Sequence, residues 1–238
     1  MFPITQDILL RKASELGILD VSTATIRQIV ALSMALEKEA NEKFVHLELG
    51  NPGLPASSIG IEAEIAALQA GVANTYPAIN GIPELKQAGS RFVKAFLDID
   101  IPEKAIVPTV GSMQASFTLQ LLLSQRLSGR DTILFFNPGF PAQRHQAKVL
   151  GIGIEQFDIY EYRGESLESK LEEVLSKGNV TAMLFSNPNN PSWINLTEKE
   201  LEIVGRMATK YDVIVIEDLA YMGMDFRTDF SHPFEAPY

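Results

Sequence analysis

Apolar strand-like runs alternate with helix-like segments from about residue 105 to residue 217. The strand-like runs occupy residues 105–110, 132–136, 152–157, 181–185 and 213–217. The helix-like segments between them occupy residues 112–127, 141–150, 166–177 and 197–210. Because parallel strands need a crossover that a helix commonly supplies, the alternation predicts an α/β fold. We expect a three-layer sandwich with a mostly parallel sheet between two layers of helices.

The region before this alternation predicts helices and one short strand. Residues 20–44 predict a helix capped by Ser22 or Thr23, and residues 82–97 predict another. Residues 47–49 predict a short strand that breaks into a turn. We therefore expect an N-terminal arm and helix over residues 1–46 and a large domain over residues 47–238.

Composition excludes several classes of function. A net charge of −10 argues against nucleic acid or an anionic membrane as the main partner. The chain lacks an apolar run of about 18 residues and a signal-peptide pattern at its N-terminus. It has no cysteine, and its three histidines are far apart in sequence, so we expect no metal site. A cytoplasmic protein is the expectation.

Two polar motifs directly follow two of the predicted strands, at residues 186–193 and 217–221. Open α/β sheets bind ligands at the carboxyl ends of their strands, so Asn190, Asp218 and Tyr221 can converge on one ligand. A planar ring with a basic nitrogen and a neighbouring phenolic oxygen, such as pyridoxal phosphate, would use all three. Taken singly, each has an alternative role as a turn asparagine, a turn-capping aspartate or a core aromatic residue.

Other segments could hold the remaining parts of such a ligand. Gly111 and Ser112 precede an apolar helix, whose exposed amides and dipole favour a phosphate, with Ser112 as a possible cap. Phe140 follows a strand end and could stack on a flat ring. Tyr76 could reach a phosphate with its phenol. The alternatives are a plain capped turn, a hydrophobic plug and a loop anchor. The Gly-rich P-loop pattern is absent, so ATP or GTP is not expected.

Taken together, the motifs carry a family resemblance over about residues 47–227. They are the Tyr-x-x-x-x-Gly-x-Pro-x-Leu segment at 76–85, Gly-Ser-Met-Gln-Ala at 111–115, Pro-Gly-Phe-Pro at 138–141, Asn-Pro-Asn-Asn-Pro at 187–191 and Asp-Leu-Ala-Tyr at 218–221. In this order and spacing the chain resembles the fold-type-I, aspartate-aminotransferase-like enzymes, the class I/II aminotransferases that use pyridoxal 5′-phosphate. The resemblance implies the large cofactor-binding domain of that fold, with residues 1–46 belonging to the family's small domain.

The resemblance implies a role for each residue around the cofactor ring. Asp218 would pair with the pyridine nitrogen, and Tyr221 and Asn190 would bond the phenolic oxygen. Phe140 would stack on the face of the ring.

Four further residues receive roles in the same way. Ser112 and Met113 would supply donors to the phosphate. Tyr76 would reach the phosphate of a neighbouring subunit's cofactor, which implies a homodimer. Gly50 would lie in the loop beside the substrate carboxylate.

The chain departs from the family pattern at two places. The family usually reads Asn-Pro-Thr-Gly where this chain has Asn190-Pro191-Ser192-Trp193, so the tryptophan puts the local loop geometry in doubt. The family's Schiff-base lysine comes about thirty or more residues after the Asp-x-Ala-Tyr segment, whereas none of the 17 residues after Tyr221 is lysine. Lys210 belongs to the preceding helix and is a poor substitute. We therefore expect an N-terminal portion that lacks the catalytic lysine and does not transaminate alone.

The resemblance implies an aminotransferase that moves an amino group between an amino acid and a 2-oxo acid. A β-lyase, a decarboxylase or an acyl-transferring synthase on the same fold is the nearest alternative, because fold does not determine chemistry. A non-catalytic module that only holds the cofactor is a second alternative. The family's DNA-binding regulators carry a basic N-terminal module, and residues 1–45 have neither the charge nor the length for one.

Overall fold

The second part of the chain is built on a four-stranded parallel sheet. A computed structural model describes residues 4–48, 50 and 53–224, and it divides the chain into two compact units, residues 1–75 and 76–238. The strands are β1 (Thr132–Asn137), β2 (Gly153–Asp158), β3 (Val180–Ser186) and β4 (Ile214–Asp218). Their order in the sheet is β2-β1-β3-β4, and every neighbouring pair is parallel. The predicted α/β class and these four strands are confirmed.

Helices cover both faces of the sheet. They are α5 (Gly111–Ser124), α6 (Pro141–Leu150), α7 (Ser166–Leu175) and α8 (Glu198–Tyr211), and a further helix, α4 (Pro83–Leu97), precedes them. One core cluster joins strand side chains to α7 and α8, and includes Leu134, Phe136, Met183, Phe185, Leu167, Leu171, Leu201, Val204 and Met207. A second cluster joins the alternate strand side chains to α5 and α6, and includes Ile133, Phe135, Ala182, Leu184, Ile216, Ala147, Leu123 and Leu150. Because successive strand residues point to opposite faces, β1 and β3 each contribute to both clusters.

One strand predicted from the sequence is wrong. Residues 103–105 form a short 3₁₀ helix, and residues 106–109 have no regular structure. Pro108 lacks an amide hydrogen, which weakens strand pairing in this run. The run therefore leads into α5 as an extended connection that pairs with none of the four described strands.

In the first unit, residues 1–75, the described residues form three α-helices: α1 (Gln6–Glu15), α2 (Ile26–Ala40) and α3 (Ser58–Gln69). Thr25, with Gln28 in a reciprocal capping box, begins α2, so the predicted caps Ser22 and Thr23 are wrong. Residues 47 and 48 are not in a strand, and Leu49 lies outside the described residues. The helices α1 and α3 were not predicted from the sequence. Its domain boundary after residue 46 stays a prediction.

None of the helices in the described ranges is both long and apolar enough to cross a membrane.

Candidate functional site

The carboxyl ends of β3 and β4 bring the two polar motifs to one edge of the sheet. Ser186 and Asp218 are register partners at the ends of these parallel strands. The amide of Asn187 then donates to the carbonyl oxygen of Asp218 at 3.2 Å. The segments after the two strands therefore begin side by side, at the edge where open α/β sheets bind ligands.

Asn190 and Tyr221 are joined directly by a hydrogen bond. Asn190 Nδ2 donates to Tyr221 Oη at 3.1 Å, and both side chains are half-buried. The backbone amide of Asn190 donates to Ser186 Oγ at 3.1 Å, which ties the residue to the end of β3. Because the phenol accepts from Asn190, its own hydrogen remains available for donation to a third group.

Buried asparagines hold the loop that carries Asn190. Asn189 Oδ1 accepts from the amide and hydroxyl of Ser192 at 3.3 and 2.7 Å. Asn187 Oδ1 accepts from the amide of Leu196 at 3.1 Å. Both asparagines are buried, so the loop conformation is fixed by internal bonds.

An ion pair fixes the far end of the same loop. Arg163 Nη2 donates to the carbonyl oxygen of Asn195 at 3.0 Å, and Arg163 also pairs with Glu200 at the start of α8. Burial alone would raise the pKa of the Glu200 carboxyl, but bonds from Arg163, Thr197 and Gly164 outweigh it and lower that pKa to about 2. Glu200 is therefore ionised at neutral pH and holds Arg163 against the loop.

Each carboxylate oxygen of Asp218 has its own donor. Oδ1 accepts from the amide of Ala220 at 3.1 Å, and Oδ2 accepts from Gln143 Nε2 at 2.9 Å. The first bond is the turn-capping role that the sequence left open as an alternative. The second comes from α6 and was not predicted. Gln143 is 3% exposed. The sole feature of the sequence that could have indicated its role is a polar residue on the inward face of α6.

A network of amides connects Gln143 to α5. Gln120 Nε2 donates to the carbonyl oxygen of Gln143 at 3.2 Å and to Gln146 Oε1 at 3.1 Å. Ser116 Oγ donates to Gln146 Oε1 at 2.8 Å, and Gln146 Nε2 donates to the carbonyl oxygen of Met113 at 2.9 Å. The first turn of α5 and the Asp218 carboxylate are therefore fixed to the same helix, α6.

The N-terminus of α5 is exposed. The helix begins at Gly111, with φ at +71°, and Val110 is the residue before it, so Ser112 lies inside the first turn and the predicted Ser112 cap is wrong. Ser112 and Met113 are exposed, and the first turn contains no acidic residue. Amides at a helix start lack intrahelical acceptors, so this turn suits an anion.

A cavity of about 460 Å³ joins the start of α5 to the end of β4. It is lined by Ser112, Ala115, Ser116, Leu119, Gln143, Ile216, Glu217, Asp218, Leu219 and Ala220. Its volume lies in the range typical of small-molecule sites. The same cavity therefore offers an anion-binding helix start and a carboxylate.

A larger cavity of about 720 Å³ lies at the carboxyl ends of β1 and β2. Its walls include Arg144, Lys148, Asp158 and Tyr160. The guanidinium of Arg144 donates to the side-chain oxygen of Asn137. None of the residues predicted for the site lines this cavity, so it is separate from the edge formed by β3 and β4.

The remaining predicted residues are less closely grouped. Phe140 is half-buried and directly precedes α6, three residues before Gln143. Tyr76 is fully exposed in the connection before α4. Gly50 belongs to the first unit, residues 1–75, and its neighbours Leu49, Asn51 and Pro52 lie outside the described residues. The roles of Phe140, Tyr76 and Gly50 stay predictions.

Lys210 is occupied elsewhere. It lies near the end of α8, where its ammonium group contacts Glu172 at 2.7 Å. The hydrogen bond that Lys210 donates to the Glu172 carboxylate raises the pKa of Lys210, so the amine stays protonated at neutral pH. A protonated amine is not a nucleophile, in agreement with the sequence argument against this lysine.

Comparison with known proteins gives a consistent set of relatives. The model of the family "aminotransferase class I and II" matches residues 42–237. The chain is 28% identical over 193 residues to the glutamate-pyruvate aminotransferase AlaC of Escherichia coli, covering 80% of this chain and 45% of that protein. It is 26% identical over 205 residues to the S-alkyl-thiohydroximate lyase SUR1 of Arabidopsis thaliana, covering 84% of this chain and 44% of that protein.

Solved structures agree on the fold. The alanine aminotransferase of Pyrococcus furiosus matches with a TM-score of 0.73 at 26% identity, over 87% of this chain and 52% of that one. The chain thus spans about half the length of the relatives it matches.

Proposed function

Because this chain belongs to the class I and II aminotransferases, we propose that it binds pyridoxal 5′-phosphate at the carboxyl ends of β3 and β4. It would form the cofactor-binding part of an enzyme that transfers an amino group between an amino acid and a 2-oxo acid. The observation that carries the proposal is the cavity whose wall includes both Ser112 and Asp218. A phosphate and a basic ring nitrogen on one small molecule need such a pair of groups in one cavity.

Asp218 would hold the proton on the pyridine nitrogen. An ionised carboxylate beside a basic nitrogen favours the protonated form of that nitrogen. The bonds from Gln143 and Ala220 would orient the carboxylate for this contact. When bound, pyridoxal phosphate supplies an electron sink for the negative charge that develops at the substrate's α-carbon, and a protonated ring nitrogen strengthens that sink.

Asn190 and Tyr221 would bind the phenolic oxygen of the ring. The bond between them is the support for this role, because it leaves the Tyr221 hydroxyl hydrogen free to donate. Hydrogen bonds to an ionised oxygen favour its charged form.

Ser112 and Met113 would bind the phosphate. Their amides belong to the exposed first turn of α5, where the helix dipole favours negative charge. Phe140 would stack on the ring from the turn that precedes α6.

We also propose the partners and the surroundings of the protein. Tyr76 would reach the phosphate bound by a second copy in a homodimer, and its full exposure supports this. Gly50 would lie beside the substrate carboxylate. The protein would be cytoplasmic, and residues 1–46 would form part of a small domain.

A lyase on the same scaffold is the second candidate, because one relative is a lyase by name. The two reactions share the cofactor and therefore the residues proposed above.

The site is tested by binding of pyridoxamine 5′-phosphate, which carries the ring and the phosphate but no aldehyde. Asp218→Asn should weaken binding about 10- to 100-fold, because a hydrogen bond to a charged group contributes about 1.5–3 kcal/mol. Asp158→Asn is the matched control, since Asp158 ends β2 and caps the next turn in the same way, through the amide of Tyr160 at 2.9 Å. Calorimetry that shows equal losses for both variants would refute the proposed site.

Residues 222–238 contain no lysine, and this gives a second test, made on the 238-residue chain itself. We expect the chain alone to take up pyridoxal phosphate reversibly and not to transaminate. After borohydride reduction, intact-mass measurement should show no stoichiometric adduct on one lysine. A single modified lysine would contradict the expected lack of a covalent attachment point, and no uptake at all would contradict cofactor binding.

A further inference from the structure

Trp193 has an unusual backbone conformation for a large residue. It is the only tryptophan in the chain, and its φ is +59°, in the left-handed region. This region favours glycine, and a bulky side chain there costs free energy. A strained conformation of this kind persists when the surrounding contacts determine it, and such residues are concentrated at functional sites.

The loop backbone holds Trp193 in this conformation. The amide of Trp193 donates to the carbonyl oxygen of Asn189 at 2.8 Å, and the amide of Asn189 donates to the carbonyl oxygen of Ile194 at 2.9 Å. Ile194 is buried in the core cluster that packs against α7 and α8. The backbone of Trp193 is therefore held by hydrogen bonds on both sides of the residue.

The indole packs edge-on against Tyr221. The two ring centroids are 5.7 Å apart and the ring planes are inclined by 66°. Trp193 is 42% exposed, so burial of the indole in the core does not account for its presence. Its contact is with the residue whose phenol also accepts the hydrogen bond from Asn190.

We propose that Trp193 is a positioning residue that holds the Tyr221 ring so that its phenol lies between Asn190 and the phenolic oxygen of the bound cofactor. The inference rests on the proposed function. A glycine at this position would relieve the backbone but leave the Tyr221 ring without this edge contact. The strained loop backbone thus accompanies a ring contact that fixes the position of the Tyr221 phenol.

The test replaces the indole by a small side chain that tolerates the left-handed conformation. Trp193→Asn should weaken binding of pyridoxamine 5′-phosphate about 2- to 10-fold, the equivalent of one aromatic pair. Its unfolding midpoint in urea should stay equal or rise, because the backbone strain is relieved. Trp193→Phe should retain most of the affinity. Tyr160→Leu, which removes another aromatic residue that touches this loop, should leave affinity unchanged.

A double-mutant cycle separates action through Tyr221 from direct contact with the ligand. In a Tyr221→Phe background the phenol is already absent, so Trp193→Asn should have little further effect on affinity. Equal losses in both backgrounds, or a loss of stability as large as the loss of affinity, would overturn the inference. If the unmodified chain binds pyridoxamine phosphate but Trp193→Asn binds it equally well, the inference alone fails. If the unmodified chain does not bind it, the proposed function fails first and the inference falls with it.

Discussion

Glu200 offers the sharpest test of what stabilises the large unit. Its side chain is 1% exposed, and Arg163 Nε and Nη2 donate to its two oxygens at 2.6 and 2.8 Å. The amide of Gly164 donates at 2.7 Å, and the amide of Thr197 at 2.8 Å. Glu200→Gln keeps the shape of the side chain but turns an amide N–H₂ toward groups that are themselves donors.

The size of the effect follows from the lowered pKa of Glu200. A fall from 4.5 to about 2 corresponds to about 3 kcal/mol of folding free energy at neutral pH. Removal of one partner from a buried ion pair costs a similar amount, about 3–5 kcal/mol. We expect Glu200→Gln to lower the free energy of unfolding by about 3 kcal/mol at pH 7.

The pH dependence has a definite sign. Because the pKa of Glu200 is lower in the folded state, its contribution is complete above pH 4.5 and is lost as the pH falls toward 2. The difference between the unmodified chain and Glu200→Gln should therefore be constant from pH 8 to about pH 6. It should shrink to about 1 kcal/mol at pH 3.

Urea unfolding, followed by circular dichroism at several pH values, measures both quantities. Glu168→Gln is the matched control, because Glu168 on α7 pairs with Arg206 on α8, the helix that also carries Glu200, but at an exposed position. It should cost less than about 1 kcal/mol. A Glu200→Gln effect no larger than the control, or one that is undiminished at pH 3, would refute the reasoning.

Two further predictions concern α5 and α6. Gln143→Leu should lower the free energy of unfolding by about 1–3 kcal/mol and weaken binding of pyridoxamine phosphate, because one oxygen of Asp218 loses its donor. Urea unfolding measures the first effect and calorimetry the second. Unchanged values of both would contradict the role of Gln143. Gly111→Ala should cost about 1–2 kcal/mol because φ is +71°. Apart from its chain neighbours and the backbone of its own helix, no described atom lies within 4 Å of the added carbon, so a much larger loss would mean that backbone strain is not the cause.

The sheet was predictable because its residues carry a local signal. The runs that became β1, β3 and β4 are apolar and bounded by turn residues, and a central strand of a parallel sheet is buried on both faces. The run at 105–110 carries a similar local signal but has no described strand beside it. A strand forms only where a neighbouring strand pairs with it, and the local sequence pattern does not indicate whether such a neighbour is present.

The helices show the limits of the pattern in another way. The apolar residues of α3 are not confined to one face, and none of its residues is buried, so helical periodicity is weak. α8 has Thr197 and Glu200 at its start in a capping box, and its predicted bounds were close to the observed ones. Capping motifs and helical periodicity therefore indicate a helix only where one face of that helix packs against a core.

The candidate site was predictable to the extent that strand ends define it. Asp218 and Asn190 follow strands, and the register of β3 and β4 brings their segments together. Gln143 and Trp193 were not predicted in their roles, since one acts from a helix on the sheet face and the other through a ring contact. Because these contacts join residues that are distant in sequence, no regular spacing in a single sequence indicates them.

The ion pair and the candidate site are coupled through one loop. Arg163 holds the carbonyl oxygen of Asn195, and the same loop carries Asn190 and Trp193. When the carboxyl group of Glu200 is protonated, Arg163 loses its ion-pair partner. The end of the loop at Asn195 is then no longer held in place. Ligand affinity at the proposed site should therefore fall in the same acid range as the free energy of unfolding, because one carboxylate stabilises the fold and fixes the loop that orders the site.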